Sequence, residues 1–241
     1  KSVVDVLSVT CDAMMVIVNV LLKFAPLGVF ALITSTVAQS GIGVLTNLAW
    51  YCLAVVLGLT LQIVVVYPIM LITFSTVSPL AFFSGMKNAI LFAFSTSSSS
   101  ATLPVTMKCL EENLHVDKKV TNFVLPLGAT VNMDGTALYE AMAAIFIAQA
   151  YGIDLSIGQQ IIIFLTANIA AIGAAGIPGA GLVTMAMVLN AVGLPLEGLG
   201  IILAVDRILD MFRTATNVAG DGAVTIIVAE TFQGDEELAE T

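Results

Sequence analysis

The chain has 241 residues, of which 59% are hydrophobic and only 10% charged, with a mean hydropathy of +1.04. A soluble domain is about 25% charged, so this composition excludes an ordinary soluble domain and marks an integral membrane protein. The net charge of −9 comes from scarce lysine and arginine and from an acidic end (Asp235, Glu236, Glu237, Glu240), and nothing in it points to nucleic-acid binding.

At about 20 residues per crossing, the length suits roughly six to eight membrane segments. Cys11, Cys52 and Cys109 lie far apart, with neither metal-ligand spacing nor a disulfide framework, and read as small apolar residues. The chain starts at Lys1 and enters an apolar segment almost at once, which suggests an N-terminal truncation. Residues 13–38 predict a first spanning helix, interrupted by Lys23 and Pro26. Gly41 and Gly43 make a turn, and residues 44–74 predict a second, long span ending near Tyr67 and Pro68. Neither span contains an acid, so both read as scaffold or wall.

Residues 79–110 differ. An apolar arm leads into FSTSSSSATLP, and a second arm follows from Leu103 to Leu110. Arms of about 12 residues are too short to cross, which predicts a re-entrant hairpin with serine hydroxyls at its tip. The plainer alternative is a Ser-rich flexible loop. Residues 111–119 form a polar loop holding the only histidine, His115, which is assigned no role.

Residues 120–150 form an apolar helix broken by Gly, Asn, Asp, Gly and Thr between Gly128 and Thr136. A break at membrane depth frees carbonyl oxygens, hard ligands suited to Na⁺ or H⁺ coupling, and Asp134 adds a full charge. Glu140 follows in the apolar second half. It carries a proton, or it makes only a helix-face hydrogen bond. Residues 155–195 repeat the hairpin pattern around GAAGIPGAG, whose glycines Gly173, Gly176, Gly179 and Gly181 permit close approach of backbone to a solute. No Lys-Ser/Thr ends this run, so it is not a nucleotide loop. A small-residue packing surface is the alternative.

The last apolar segment, 199–231, carries Asp206, Asp210, Arg213, Thr214, Asn217 and Asp221. At 3.6 residues per turn these fall on one stripe of roughly 100°. Charge in hydrocarbon is costly, so the stripe must face protein or a water-filled cavity. A self-neutralising structural cluster is the competing reading, but three acids against one stripe arginine leave negative charge that needs a cation. The units 79–150 and 155–221, each a hairpin plus a broken helix, resemble an internal repeat, a pointer to a secondary transporter with a midplane site.

SSSSATLPVT (97–106), LPLGATVNMDGTALYE (125–140), AAGIPGAGLVTM (174–185) and DRILDMFRTATNVAGD (206–221) together resemble the sodium-coupled glutamate/aspartate transporters, the dicarboxylate/amino acid:cation symporter family. The resemblance covers essentially the whole chain and implies an all-α integral membrane protein. It would have spanning helices, two re-entrant hairpins and a broken helix in an inverted-repeat, elevator-type core, with the family's first four helices missing. It implies two spans of scaffold or wall over 1–75 and a transport core over 76–241. The core would comprise hairpin 79–110, broken helix 120–150, hairpin 155–195, last helix 199–231 and acidic tail 232–241.

By the same resemblance, Arg213 pairs with the substrate's side-chain carboxylate and Asp210 binds its amino group. Thr214, Asn217, Ser99, Thr136 and the backbone from Ile177 to Gly181 complete the substrate site. Gly128, Asn132, Asn217 and Asp221 match one sodium site, and Asn132 and Asp134 match part of a second. Thr130, Met133 and the carbonyls near Ala171, Ile172 and Ala174 match a third. Glu140 matches the proton-carrying acid of the animal members. The family's arginine at the first hairpin tip is Ser97 here, and the one after Asp210 is Met211. Arg207, three residues from Asp210, is expected to supply the missing charge. These departures put potassium counter-transport in doubt.

The resemblance therefore implies a symporter of L-glutamate or L-aspartate in the plasma membrane, coupled to Na⁺ and with H⁺ as a second coupling ion, a homotrimer in its full-length form, and not an enzyme. A C4-dicarboxylate or neutral amino-acid symporter is the near alternative. Asp210 argues against the first and Arg213 against the second. An intramembrane serine hydrolase lacks a general base, and an ion channel lined by the acidic stripe is the remaining alternative.

Overall fold

The computed structural model describes residues 43–239 as a continuous run and, ahead of it, only scattered positions between 6 and 38. The span expected over 13–38 falls outside the continuous run. Contacts divide the chain into Lys1–Thr46 and Asn47–Thr241, and all the candidate functional residues lie in the second unit. Among the described residues there are helices and turns and no strand.

Helix α1 (Gly43–Leu61) passes through a π-helical turn (Gln62–Val66) into α2 (Tyr67–Phe74). Thr46–Phe74 is the one helix among the described residues that is long and apolar enough to cross a membrane. The widened turn sits just ahead of Pro68, which lacks an N–H and whose ring crowds the preceding turn. At the corner that follows, the backbone N–H and the hydroxyl of Thr76 both donate to the Glu230 carboxylate, at 2.8 and 2.7 Å.

The first hairpin pairs α3 (Pro79–Thr96) with α4 (Ser99–Lys108). Ser78 caps α3, accepting from Ala81 N at 3.2 Å, with Pro79 as the first helical residue. At 18 residues, α3 is longer than the arm of about 12 expected from the sequence. Ser95 and Thr96 fold their hydroxyls back onto the Phe92 carbonyl and stay helical. The turn comes at Ser97, in the left-handed region with φ 53°, and Ser98 then caps α4.

After a π turn (Cys109–Asn113), α5 (Lys118–Val131) and α6 (Asp134–Ala150) form the interrupted helix. The break is shorter than the sequence suggested. Only Asn132 and Met133 leave the helix: Asn132 N still bonds the Gly128 carbonyl at 2.8 Å, and Asp134 opens α6 at the favourable end of its dipole. The second hairpin is α7 (Ile157–Ile172), started by a Ser156–Gln159 capping box, and α8 (Ala180–Ala191).

Helix α9 (Leu199–Ala239) is continuous. The second unit of the repeat therefore has no broken helix, since 199–239 contains no proline and no Asn-Met-Asp-Gly run. The segment expected as an acidic tail from 232 continues α9 to Ala239.

Helix α9 is the axis of the fold and packs against α3, α4, α5, α6 and α8. Leu71, Phe82, Met86, Leu110, Leu125, Val218 and Ile226 form a closed apolar core between α9 and the first hairpin. The outer faces carry large exposed apolar residues, among them Trp50, Leu80, Phe123, Ile157 and Ile169, as a lipid-facing surface requires. Phe82 is fully buried and edge-on to Phe83. Phe82→Ala is expected to cost about 3 kcal/mol, read as a lower melting midpoint in detergent, whereas truncating exposed Leu80 leaves the midpoint unchanged.

Candidate functional site

The polar stripe of α9 is buried in protein: Asp206, Asp210, Arg213, Thr214, Asn217 and Asp221 are each at most 5% exposed. Three elements cover it, namely the two hairpin tips and the break between α5 and α6.

Arg213 is the centre. One guanidinium nitrogen lies 2.5 Å from Asp210 Oδ1 and the other 3.5 Å from Asp206 Oδ1. The group stacks 4.3 Å from the Tyr139 ring centroid, and the Tyr139 hydroxyl donates to Asp206 Oδ1 at 2.7 Å. The arginine is thus held on three sides by α6 and α9.

The fourth side is the second hairpin. Gly179 N donates to Asp210 Oδ2 at 2.9 Å, from a backbone with φ +77° that favours glycine. Gly181 lies so close to the guanidinium that an added Cβ would stand 2.6 Å from Arg213 Nη1. The hairpin tips also meet. Ser98 Oγ and Ser100 N both donate to the Gly176 carbonyl, at 2.7 and 3.1 Å.

What remains between them is a cavity of about 10 Å³, lined by Ser97, Ser99, Thr136, Ile177, Asp210, Arg213, Thr214 and Asn217. That is room for about one water molecule. The Ser97 hydroxyl at its edge is buried and has no partner among the described residues. A cavity of about 460 Å³ elsewhere, lined by Asn47, Trp50, Tyr51, Met142, Phe146 and Gln149 among others, has no charged wall. The small one carries the charged walls Asp210 and Arg213, and a further cavity of about 430 Å³ is lined by Gln62, Asp134 and Asn168 among others.

The break forms a second cluster. Asn217 Oδ1 accepts from Gly135 N at 2.8 Å, and its amide lies 3.1 Å from Thr136 Oγ1 and 3.7 Å from Met133 Sδ. Asp221 accepts from the Asn132 amide at 3.1 Å, with Gly128 against its carboxylate. Asp134 Oδ2 accepts from Gln62 at 3.3 Å and from the Tyr67 hydroxyl at 3.1 Å. Tyr67 also reaches the Thr216 carbonyl at 3.1 Å. Met133, Ala171 and Ala174 pack together.

Neither Asp134 nor Asp221 forms an ion pair among the described residues. A buried carboxylate held only by neutral donors favours a cation beside it. Among the described residues no three His, Cys, Asp or Glu side chains gather. The side chains gathered there are amides and single carboxylates, oxygen donors of the kind that hard cations take.

One candidate side-chain ligand stays apart from this cluster: Thr130 is exposed and its hydroxyl donates to the Leu127 carbonyl of its own helix. Arg207 forms no ion pair with Asp210 among the described residues: Arg213 and Gly179 hold that carboxylate, and Arg207 Nη1 has no hydrogen-bond partner there. Glu140 is fully buried and accepts from the Thr184 hydroxyl of α8.

Sequence reasoning missed Tyr67, Gln62, Tyr139, Thr184 and the Ser98–Gly176 contact. A glutamine inside the 44–74 apolar run was a usable signal. The tyrosines and Thr184 carried none, because single hydroxyls in apolar helices are common core residues.

The sequence profile of the sodium:dicarboxylate symporter family matches residues 1–231. The chain is 48% identical to excitatory amino acid transporter 1 of Ambystoma tigrinum over 99% of its own length and 45% of that protein. It is 52% identical to excitatory amino acid transporter 1 of Homo sapiens over 87% of the chain and 39% of that protein. It is 50% identical to excitatory amino acid transporter 3 of Homo sapiens over 93% of the chain and 43% of that protein. The chain thus spans less than half the length of these relatives.

Gly181→Ala is expected to lower stability by about 1–3 kcal/mol through overpacking against Arg213. Gly200→Ala, where an added Cβ meets nothing within 4 Å, serves as the control, and melting midpoints in detergent compare the two.

Proposed function

The chain belongs to the sodium:dicarboxylate symporter family, and on that footing we propose that the protein carrying it is a Na⁺-coupled symporter of acidic amino acids. The observation that carries this is the buried Arg213–Asp210 pair closing the cavity beneath both hairpin tips. A substrate with one ammonium and two carboxylates can split that pair. Its ammonium takes Asp210, and its side-chain carboxylate takes the Arg213 fork. A dicarboxylate without an amine leaves Asp210 unmatched, and a neutral amino acid leaves Arg213 unmatched.

The second hairpin is the element that must lift. Its hold on the site is Gly179 N on Asp210, the Gly176 carbonyl on Ser98 and Ser100, and Gly181 against the guanidinium. All are backbone contacts that a substrate's carboxylate and ammonium can replace. The hydroxyls of Ser97, Thr136 and Thr214 and the Asn217 amide face the same space.

Sodium enters the reading through charge. Asp134 and Asp221 lack cationic partners among the described residues, and Asp206 with Asp210 exceeds the charge of Arg213 by one. Cations at the α5–α6 break neutralise this surplus. There they would meet Asn132, Asn217 and the carboxylates of Asp134 and Asp221. Since Asn217 borders both clusters, ion and substrate binding are coupled through one side chain.

Glu140 is the proton carrier in this reading, buried one helix turn beyond Thr136. The hairpins, the broken helix and α9 then move together as the carrier domain of an elevator, in a homotrimer formed by the full-length protein in the plasma membrane. Serine hydrolysis finds no support, since the Ser98 hydroxyl donates to the Gly176 carbonyl and no hydrogen bond joins Ser97, Ser98, Ser99 or Ser100 to a histidine or carboxylate among the described residues.

The test is uptake of labelled L-aspartate by the reconstituted full-length protein with and without an inward Na⁺ gradient. Gradient-driven, saturable uptake is expected, reduced at least about 100-fold by Arg213→Ala. Uptake indifferent to Na⁺, or to loss of Arg213, contradicts the proposal.

A further inference from the structure

Glu140 and Thr184 sit on different elements of the core: Glu140 on α6 below the break, and Thr184 on the returning arm of the second hairpin. Both are buried, at 0% and 7% exposure. The Thr184 hydroxyl donates to Glu140 Oε1, while Glu140 Oε2 has no partner among the described residues. This is the side-chain link by which the hairpin touches the acid.

The same hydroxyl has a second place for its proton. Thr184 Oγ1 lies 3.3 Å from the Gly181 carbonyl and 3.4 Å from the Ala180 carbonyl, within its own helix. A hydroxyl gives one hydrogen and accepts others. When Glu140 is ionised, Thr184 donates to it. When Glu140 is protonated, its own O–H donates to Thr184 Oγ1, and the Thr184 hydrogen turns to the Gly181 or Ala180 carbonyl. No heavy atom needs to move, and every proton is accounted for. Gly181 is the residue pressed against Arg213, so the charge state of Glu140 is passed to the backbone that covers the site.

The helices packed against α6 are α1, which brings the buried Tyr51 ring onto Phe146 and Gly58 onto Leu138, and α7, α8 and α9; Tyr51 and, on α6 itself, Tyr139 are the titratable hydroxyls of this region. Neither α7 nor α8 contains an ionisable side chain, and the charged groups of α9 on this side are Asp206, Asp210 and Arg213, already bound to one another. Thr184 is the hydrogen-bonding partner that distinguishes the two states of Glu140.

We propose that Thr184 is a positioning residue that ties the protonation of Glu140 to closure of the second hairpin. This rests on the reading of Glu140 as proton carrier given above. The bond to a carboxylate is charge-assisted and about twice as strong as the bond to the neutral acid. Removing the hydroxyl therefore favours the protonated form. Proton-loaded transport should then persist to higher pH, by about one pH unit.

The experiment is the external-pH profile of Na⁺-driven L-aspartate uptake by the full-length protein, for the wild type, Glu140→Gln, Thr184→Val and Thr184→Ser. Wild-type uptake is expected to fall with rising pH, and Glu140→Gln to flatten the profile. Thr184→Val should move the midpoint up by about one unit, and Thr184→Ser, which keeps the hydroxyl, should restore it. A Thr184→Val midpoint equal to wild type, beside a flat Glu140→Gln profile, overturns the role of Thr184 and leaves the proton carrier standing. A flat wild-type profile, or an unaltered one in Glu140→Gln, overturns the proton-carrier reading and this inference with it. If Thr184→Val transports too slowly to assay, proton uptake on L-aspartate binding in detergent, followed with a pH dye, yields the same midpoints, and an unshifted Thr184→Val midpoint there again overturns the role of Thr184.

Discussion

One guanidinium in a low-dielectric interior organises this molecule. Arg213 is nearly inaccessible and sits among Asp210, Asp206 and the Tyr139 ring. Burying such a charge is costly unless partners surround it on every side, and this requirement shapes the elements around it. Helix α6 contributes the aromatic face, α9 the two carboxylates, and the second hairpin a glycine backbone thin enough to close over the top. A Cβ at Gly181, in the first turn of α8, would stand 2.6 Å from the guanidinium, so the hairpin covers the charge there with main chain. Its remaining hold on the site is through backbone groups, Gly179 N on Asp210 and the Gly176 carbonyl on Ser98 and Ser100.

The second cluster follows a related logic with the sign reversed. Around the α5–α6 break, carboxylates and amides satisfy one another without a cationic side chain among the described residues. Such an arrangement is complete as a hydrogen-bond network and incomplete as a charge distribution. It sits one side chain, Asn217, from the Arg213 cavity. In the symporter reading proposed above, this adjacency supplies the coupling: a cation in one site lowers the electrostatic cost of an anionic solute in the other.

Much of this was legible in the sequence, because scarce charges in an apolar chain have few places to go. The stripe from Asp206 to Asp221 needed only the helical repeat to predict its burial on one face. The helix pairs α3–α4 and α7–α8 were legible from serine and glycine runs between apolar arms, though not the 18- and 16-residue lengths of α3 and α7. The extents were not. Ser95 and Thr96 belong to the helix because their hydroxyls find Phe92, and Gly128 to Val131 remain helical because Asn132 still reaches Gly128. Local back-bonding of this kind decides where a helix ends and leaves no compositional trace. Spacing permits Arg207 to pair with Asp210, but Arg213 and Gly179 already hold that carboxylate. Hydroxyl partners such as Tyr67, Tyr139 and Thr184 acquire meaning only when another helix is brought beside them.

If an amphoteric solute replaces the Arg213–Asp210 pair, the substrate's two charges are jointly necessary. The most direct measurement is calorimetric binding of L-aspartate, succinate and L-alanine to the detergent-solubilised full-length protein in saturating Na⁺. L-aspartate is expected to bind roughly 100-fold tighter than either analogue, since succinate leaves Asp210 without a partner and L-alanine leaves Arg213 without one. Comparable affinity for succinate or L-alanine would contradict replacement of the pair.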